Sequence, residues 1–248
     1  MAISRREAIV ETGSALALLG GIAAATRANA ASIVSPLGVV AVMDPVSTKH
    51  KVVPLPFDAK KLKGLSERMV VSHHDNNYAA AVNNLNKVED ELARVNKDTP
   101  AYMVFGLRER ELTFSNSMTL HEHYFANLGG DGKAQGAVAK AIAEGFGSMG
   151  RWEELFRATG MSLSGGSGWV VLAHSFARGG LHVTWSSGHP QSLAFAAPIL
   201  VMDMYEHAYQ MDFGAAAGKY IDAFFANIKW DEVTRRHERA LAMAKVPL

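Results

Sequence analysis

The sequence predicts an α+β fold, with an N-terminal helical hairpin followed by a C-terminal domain carrying a small antiparallel three-stranded sheet and surrounding helices. Three observations predict it. Apolar residues between about Leu65 and Asn127 recur near the 3.6-residue helical period. The glycine-rich Gly165-Gly166-Ser167-Gly168 then introduces β-rich runs separated by turn residues. From Tyr220 to Ala244 the pattern is helical again.

The first 30 residues read as a removable signal peptide. Ser4-Arg5-Arg6-Glu7 is a polar opening, Gly13 to Ala25 is an apolar run of small residues and leucines, and Ala28-Asn29-Ala30 is a small-x-small cleavage pattern. The run falls short of the roughly 20 residues that cross a bilayer. The arginine pair resembles a twin-arginine signal, which exports folded proteins, and Arg27 near the cleavage site is disfavoured in general secretion; Ala8, Ile9 and Val10 match the twin-arginine pattern only loosely. A mature chain beginning near Ala31 would be periplasmic or extracellular, with no membrane span.

Residues 31–52 are apolar and proline-punctuated without a period, and read as an extended arm or linker. Val53-Pro54-Leu55-Pro56-Phe57-Asp58 is extended, because each proline disfavours helical geometry in the residue before it. The hairpin domain, 53–130, follows. Ser66 can cap a helix from about Leu65 to Asn96, with apolar residues at Leu65, Met69, Val70, Ala80, Ala81, Leu85, Val88 and Leu92. A second helix runs from about Tyr102 to Asn127 and stops at Gly129-Gly130. The second domain, 131–248, opens with a helix over Gly136–Ala143 and a short one over Trp152–Thr159. Trp169 to Ala173 and Leu181 to Trp185 then pair across the Arg178-Gly179-Gly180 turn, Pro198 to Asp203 is a third strand, and Tyr220 to Ala244 is helical again.

Composition removes several classes of function. There is no cysteine among 248 residues, so disulfides, thiolate metal sites, iron–sulfur clusters and cysteine nucleophiles are absent. Net charge is +1, and without Arg5, Arg6, Arg27, Glu7 and Glu11 the balance is 22 basic to 22 acidic residues. Nucleic-acid binding has no charge patch to rest on. Guidance of an anionic substrate would have to be local to a funnel.

The chemistry concentrates in Asp203-Met204-Tyr205-Glu206-His207-Ala208-Tyr209, which puts a carboxylate at the end of a buried strand and an imidazole four residues later. A buried aspartate needs a partner. A metal is one; a helix-capping aspartate beside a surface histidine is the plainer alternative. His73-His74 in the first helix and His121-Glu122-His123 in the second are, each alone, ordinary half-exposed histidines. Together with Asp203 and His207 they could supply three nitrogens and one carboxylate oxygen, a set that suits iron or manganese with a position open for solvent.

These motifs resemble the iron/manganese superoxide dismutases from about Pro54 to Val233. The similar segments are Leu55-Pro56-Phe57-Asp58, His73 twelve residues before Leu85-Asn86, His121-Glu122-His123-Tyr124-Phe125, Gly166-Ser167-Gly168-Trp169, Asp203 to Tyr209 with Tyr205 in a tryptophan slot, and Lys229-Trp230-Asp231. The resemblance implies dismutation of superoxide to dioxygen and hydrogen peroxide at one iron or manganese ion, iron favoured. It makes His73 the axial ligand and His121, Asp203 and His207 the equatorial ones, and leaves His74, His123, His174 and His182 out of the site. It assigns Glu206 to a hydrogen bond across a twofold interface onto the partner's ligand histidine, hence a homodimer.

The sequence departs from that family around the ligands. Asn77 and Ala81 occupy the funnel positions where a histidine and a tyrosine are expected, so Tyr78, one turn before Ala81, either offers its hydroxyl to proton delivery or simply packs. Ser117 is too short for the outer-sphere glutamine of the second helix. In the loop after the second strand, Ser187-Gly188-His189 resembles members that use histidine to bond the metal-bound solvent, which makes His189 the candidate; a plain loop histidine is the other reading. The departures also leave open a dismutase-fold metal-binding or interaction protein with weak or no activity. A non-haem iron oxygenase shares the ligand chemistry but needs two or three neighbouring open positions that four protein ligands do not leave.

Overall fold

The structure, a computed structural model, describes residues 49–245; the expected signal peptide and most of the expected arm lie outside them. Among the described residues the order is helices α1 (Glu67–Ser72), α2 (Ala79–Leu92), α3 (Ala101–Ala126), α4 (Gly136–Phe146) and α5 (Met149–Met161), strands β1 (Trp169–Ser175), β2 (Leu181–Ser186) and β3 (Ala196–Asp203), then helices α6 (Gln210–Phe213), α7 (Ala217–Ala226) and α8 (Trp230–Ala244). The fold is α+β, as the sequence predicts.

The first helix starts where its cap is expected. The Ser66 hydroxyl accepts the Met69 N–H at 3.1 Å, and Ser66 is itself held by Asp212, whose two carboxylate oxygens take its N–H and its hydroxyl at 2.7 Å each. Between α1 and α2 the backbone widens into a π-helical segment, His73–Tyr78. Such insertions re-aim the side chains they carry and are frequent at functional sites. The segment 49–53 runs along this helix. Asn86 holds both backbone groups of His50, at 2.8 and 2.9 Å, and the Val53 carbonyl accepts His74 Nε2–H at 2.8 Å. This short end of the expected arm is therefore a strap tied to the hairpin.

The sheet has the order β2–β1–β3, antiparallel throughout. Gly168 introduces β1 with φ +148°, and a Cβ there would lie 2.1 Å from the Ser186 carbonyl oxygen, so only glycine fits. The β1–β3 register shifts between Leu172 and Ala173, opposite Pro198; proline has no N–H for the ladder and is tolerated on an edge strand at such an irregularity. Trp169 pairs with Asp203. Trp152, Phe156, Trp169, Leu172, Ile199, Tyr220 and Phe224 lie in one core that also takes in Val82 and Tyr124 from the hairpin, so the hairpin part and the α+β part share their interior.

The sequence predicts helical structure over 220–244; the structure divides it into two helices, broken at Asn227-Ile228-Lys229. Side-chain competition for the backbone explains the break. Asn227 donates to the carbonyls of Lys63 and Ala223 and accepts the Lys63 N–H, at 2.7, 2.8 and 2.8 Å, while the Lys229 N–H goes to the Asn127 carbonyl at 2.8 Å. Asn127, fully buried, also accepts the Val201 N–H at 3.0 Å, tying the end of α3 to β3.

Candidate metal centre

Four elements converge on one point. His73 comes from the π-helical segment, His121 from the C-terminal part of α3, Asp203 from the last residue of β3, and His207 from the 3₁₀ turn Glu206–Ala208. One ligand atom from each lies within 4.8 Å of the others. The Nε2 atoms of His73, His207 and His121 stand 3.1, 3.2 and 3.6 Å from Asp203 Oδ2. Asp203 is fully buried, His73 and His121 nearly so, and His207 is half-buried.

Two of these nitrogens have no partner outside the cluster. His73 Nε2 and His121 Nε2 are buried and make no hydrogen bond among the described residues, although His73 Nε2 is close enough to Asp203 for one. Buried polar atoms are normally paired. His121 Nδ1–H donates to the Ser117 carbonyl at 2.7 Å, which leaves its Nε2 as a lone pair aimed into the cluster. Three imidazole nitrogens and one carboxylate oxygen, two of the nitrogens otherwise orphaned, fit a metal of the iron or manganese type with no thiolate in reach.

The electrostatics agree with that set. Burial alone would raise the Asp203 pKa, but His207 and His73 outweigh it and hold the carboxyl well below the usual range. Burial, then the neighbouring His73, pushes His121 down to about 3; His73 is lowered chiefly by burial. The site thus favours an anionic oxygen at Asp203 beside neutral imidazoles at His73 and His121, the protonation state in which these groups can coordinate.

Around the cluster, the rings are packed closely. His73 contacts Phe125 and Tyr124, with centroids 5.0 and 5.3 Å away. The Tyr220 hydroxyl donates to the Asp203 backbone carbonyl at 2.6 Å. Tyr205 stacks against His189 on one side and His207 on the other, at 4.5 and 5.3 Å with interplanar angles of 10° and 13°.

His189 lies beside the cluster, its ring 6.1 Å from that of His121. Its Nδ1 accepts the Trp169 indole N–H at 3.0 Å, and its backbone carbonyl accepts the Asn116 amide at 2.8 Å. Tyr78, expected as a proton donor or as packing, is buried; its hydroxyl donates to Glu122 and accepts the Val53 N–H, both at 2.9 Å. Ser117 is buried beside His121 and serves it mainly through its carbonyl. Ala81 is buried and Asn77 half-buried. Glu206 is exposed, and its carboxylate has no hydrogen-bond partner among the described residues. The roles of Trp169 and Tyr205 in holding His189 were not visible in the sequence; the only signal was their place in motifs already noted for other reasons.

Comparison with known proteins bears on the whole of this region. The family model described as iron/manganese superoxide dismutases, C-terminal domain, matches residues 134–236. An iron superoxide dismutase of Cupriavidus metallidurans is 45% identical over 193 residues, covering 77% of this chain and 98% of the relative. A manganese superoxide dismutase of Haloferax volcanii is 32% identical over 196 residues, covering 77% and 96%. An iron superoxide dismutase of Aquifex pyrophilus is 32% identical over 191 residues, covering 73% and 88%.

Proposed function

The chain belongs to the iron/manganese superoxide dismutases, and from that membership we propose that it converts superoxide to dioxygen and hydrogen peroxide at one ion held by His73, His121, Asp203 and His207. The observation that carries the reading is the convergence of four donor atoms within 4.8 Å, two of them buried nitrogens with no partner outside the cluster. When bound, the ion would supply one-electron redox chemistry, by which two superoxide anions and two protons give one dioxygen and one hydrogen peroxide.

The residues have separable tasks. Asp203 brings the negative charge, and its carboxylate is kept ionised by the imidazoles beside it. His121 is fixed in one tautomer by the Ser117 carbonyl, which orients the ring and sharpens its basicity. His189 accepts from Trp169 at Nδ1, so its proton resides on Nε2, the arrangement a donor to bound solvent requires. Proton delivery then centres on His189, because the Tyr78 hydroxyl is committed to Glu122 and Val53.

Iron is the resident ion we favour; the 45% identical relative is an iron enzyme. Exposed Glu206, next to His207, supports a homodimer in which this carboxylate reaches the partner's ligand histidine. The Arg5-Arg6 pair and Ala28-Asn29-Ala30 support export by the twin-arginine route with cleavage near Ala30, and none of the described helices is long and apolar enough to cross a membrane.

The test is metal analysis of the purified mature protein beside a superoxide assay, with Asp203→Ala as control. Stoichiometric iron or manganese with activity lost in the control supports the reading. Metal at full occupancy with activity no higher than the control would overturn dismutation while leaving the site intact. Equal metal content in both proteins would overturn the ligand assignment. Replacing Arg5 and Arg6 by Lys should strand the protein in the cytoplasm if the export reading holds, and sedimentation should give a dimer that Glu206→Ala weakens.

A further inference from the structure

Behind the Phe125 ring that packs on His73, α8, the end of α3, the start of β3 and the strap line an open cavity of about 490 Å³, within the usual range for small-molecule sites. Much of its lining is apolar: Pro54, Pro56, Phe125, Pro198, Ala240 and Met243. The charged part comes mainly from one face of α8, as Glu232, Arg235, Arg236 and Arg239. Arg239 follows Arg235 by four residues and Arg236 by three, so the three side chains are neighbours on the helix surface.

The charges of this lining do not cancel. Glu232 receives Arg235 at 2.8 and 2.7 Å and Arg236 at 2.8 Å, so one carboxylate answers two guanidiniums. Arg236 also gives Nη2–H to the His123 carbonyl at 3.1 Å, and its Nη1 is buried with no partner among the described residues. Arg239 makes no ion pair among them. Glu122, the other carboxylate of the lining, takes the Tyr78 hydroxyl. Three guanidiniums therefore face two carboxylates, and a buried guanidinium N–H calls for an acceptor.

We propose that this cavity binds a small amphiphile carrying one carboxylate, with its head at Arg239 and Arg236 and its hydrocarbon part against Pro54, Pro56, Phe125 and Met243. A carboxylate matches the forked N–H donors of a guanidinium. Its single negative charge offsets the one in excess. A proline- and methionine-lined wall takes a flexible chain readily, since methionine adapts to irregular shapes. Nothing in the ligand set of the metal centre is used, so the proposal stands apart from the dismutase reading.

Octanoate is the probe, titrated calorimetrically into the metal-loaded native protein, with octanol and octylammonium as head-group controls. Octanoate is expected to bind at one site per chain, and the two controls at least about tenfold more weakly, the size of effect of one charge-assisted hydrogen-bond pair. Arg239 and Met243 are exposed, so Arg239→Gln and Met243→Glu should keep the fold and the superoxide activity. Each should weaken octanoate by about tenfold. Failure of octanoate to bind the native protein would overturn the proposal, as would equal binding by Arg239→Gln. Octanol binding as tightly as octanoate would overturn the assignment of the head group.

Discussion

His189 owes its orientation to Trp169. A histidine on a loop has two tautomers and several rotamers, and the indole N–H removes most of that freedom by occupying Nδ1. His189→Ala is therefore expected to leave metal content unchanged while altering the rate of superoxide consumption or the preference between iron and manganese; an enzyme unaltered in both respects would reject the role. Tyr78→Phe removes the hydrogen bonds to Glu122 and from Val53, and should lower the urea midpoint by the equivalent of about 1 kcal/mol. Its superoxide turnover and pH profile should match the native enzyme, and a shifted profile would return Tyr78 to proton delivery. The four candidate ligands were legible because their spacing sits in specific motifs. The contact between Trp169 and His189 was not, since it depends on where a loop of uncertain length folds back, and neither was the destination of the Tyr78 hydroxyl, which depends on a strap that has no sequence period.

The helices were legible from their apolar spacing, and their ends from Ser66 and Gly129-Gly130. What spacing could not reveal was the π-helical turn at His73–Tyr78: its residues are mostly polar, and a widened turn changes hydrogen bonding more than it changes the apolar pattern around it. The break between α7 and α8 was hidden for a different reason, because Asn227 leaves the helix only in order to bond Lys63, a residue 164 positions away. Strand β1 shows the strongest local constraint. Gly168→Ala would drive a Cβ into the Ser186 carbonyl at a backbone angle that L-residues avoid. A loss of about 3 kcal/mol or more in unfolding free energy is expected, at the upper end for single substitutions. The Met204 N–H bonds the Gly168 carbonyl at 2.9 Å beside Asp203, so metal occupancy should fall with stability; a variant with native metal content and melting temperature would refute the constraint.

For the molecule as a whole, the buried cluster links stability to both metal and pH. In metal-free protein the folded state refuses protons at His121, whose pKa is pushed down to about 3 by burial and then by His73, whereas the same side chain in the unfolded chain takes one near 6.5. Between those values the unfolded state binds more protons. Metal-free stability is thus full above about pH 6.5 and falls as the pH drops towards 3. Asp203, held below its ordinary range, adds loss in the same direction at the acidic end. Urea titrations of the metal-free protein between pH 7.5 and 4 would check this, and a flat profile would contradict it. Loading with metal should raise the whole curve through preferential binding to the folded state, with the gain shrinking on acidification as protons compete for the ligands.

The pairing of Trp169 with Asp203 ties the metal centre to the register of the sheet. Strand pairing moves in whole residues, and a slip by one turns every side chain to the opposite face. The site consequently has no gradual version. His73 and His121 belong to the hairpin, whereas Asp203 ends β3 and His207 lies in the turn after it, so a slipped register would remove two of the four donors at once. Three nitrogens and a carboxylate accept either iron or manganese, so the four ligands that the register assembles do not by themselves choose between the two ions.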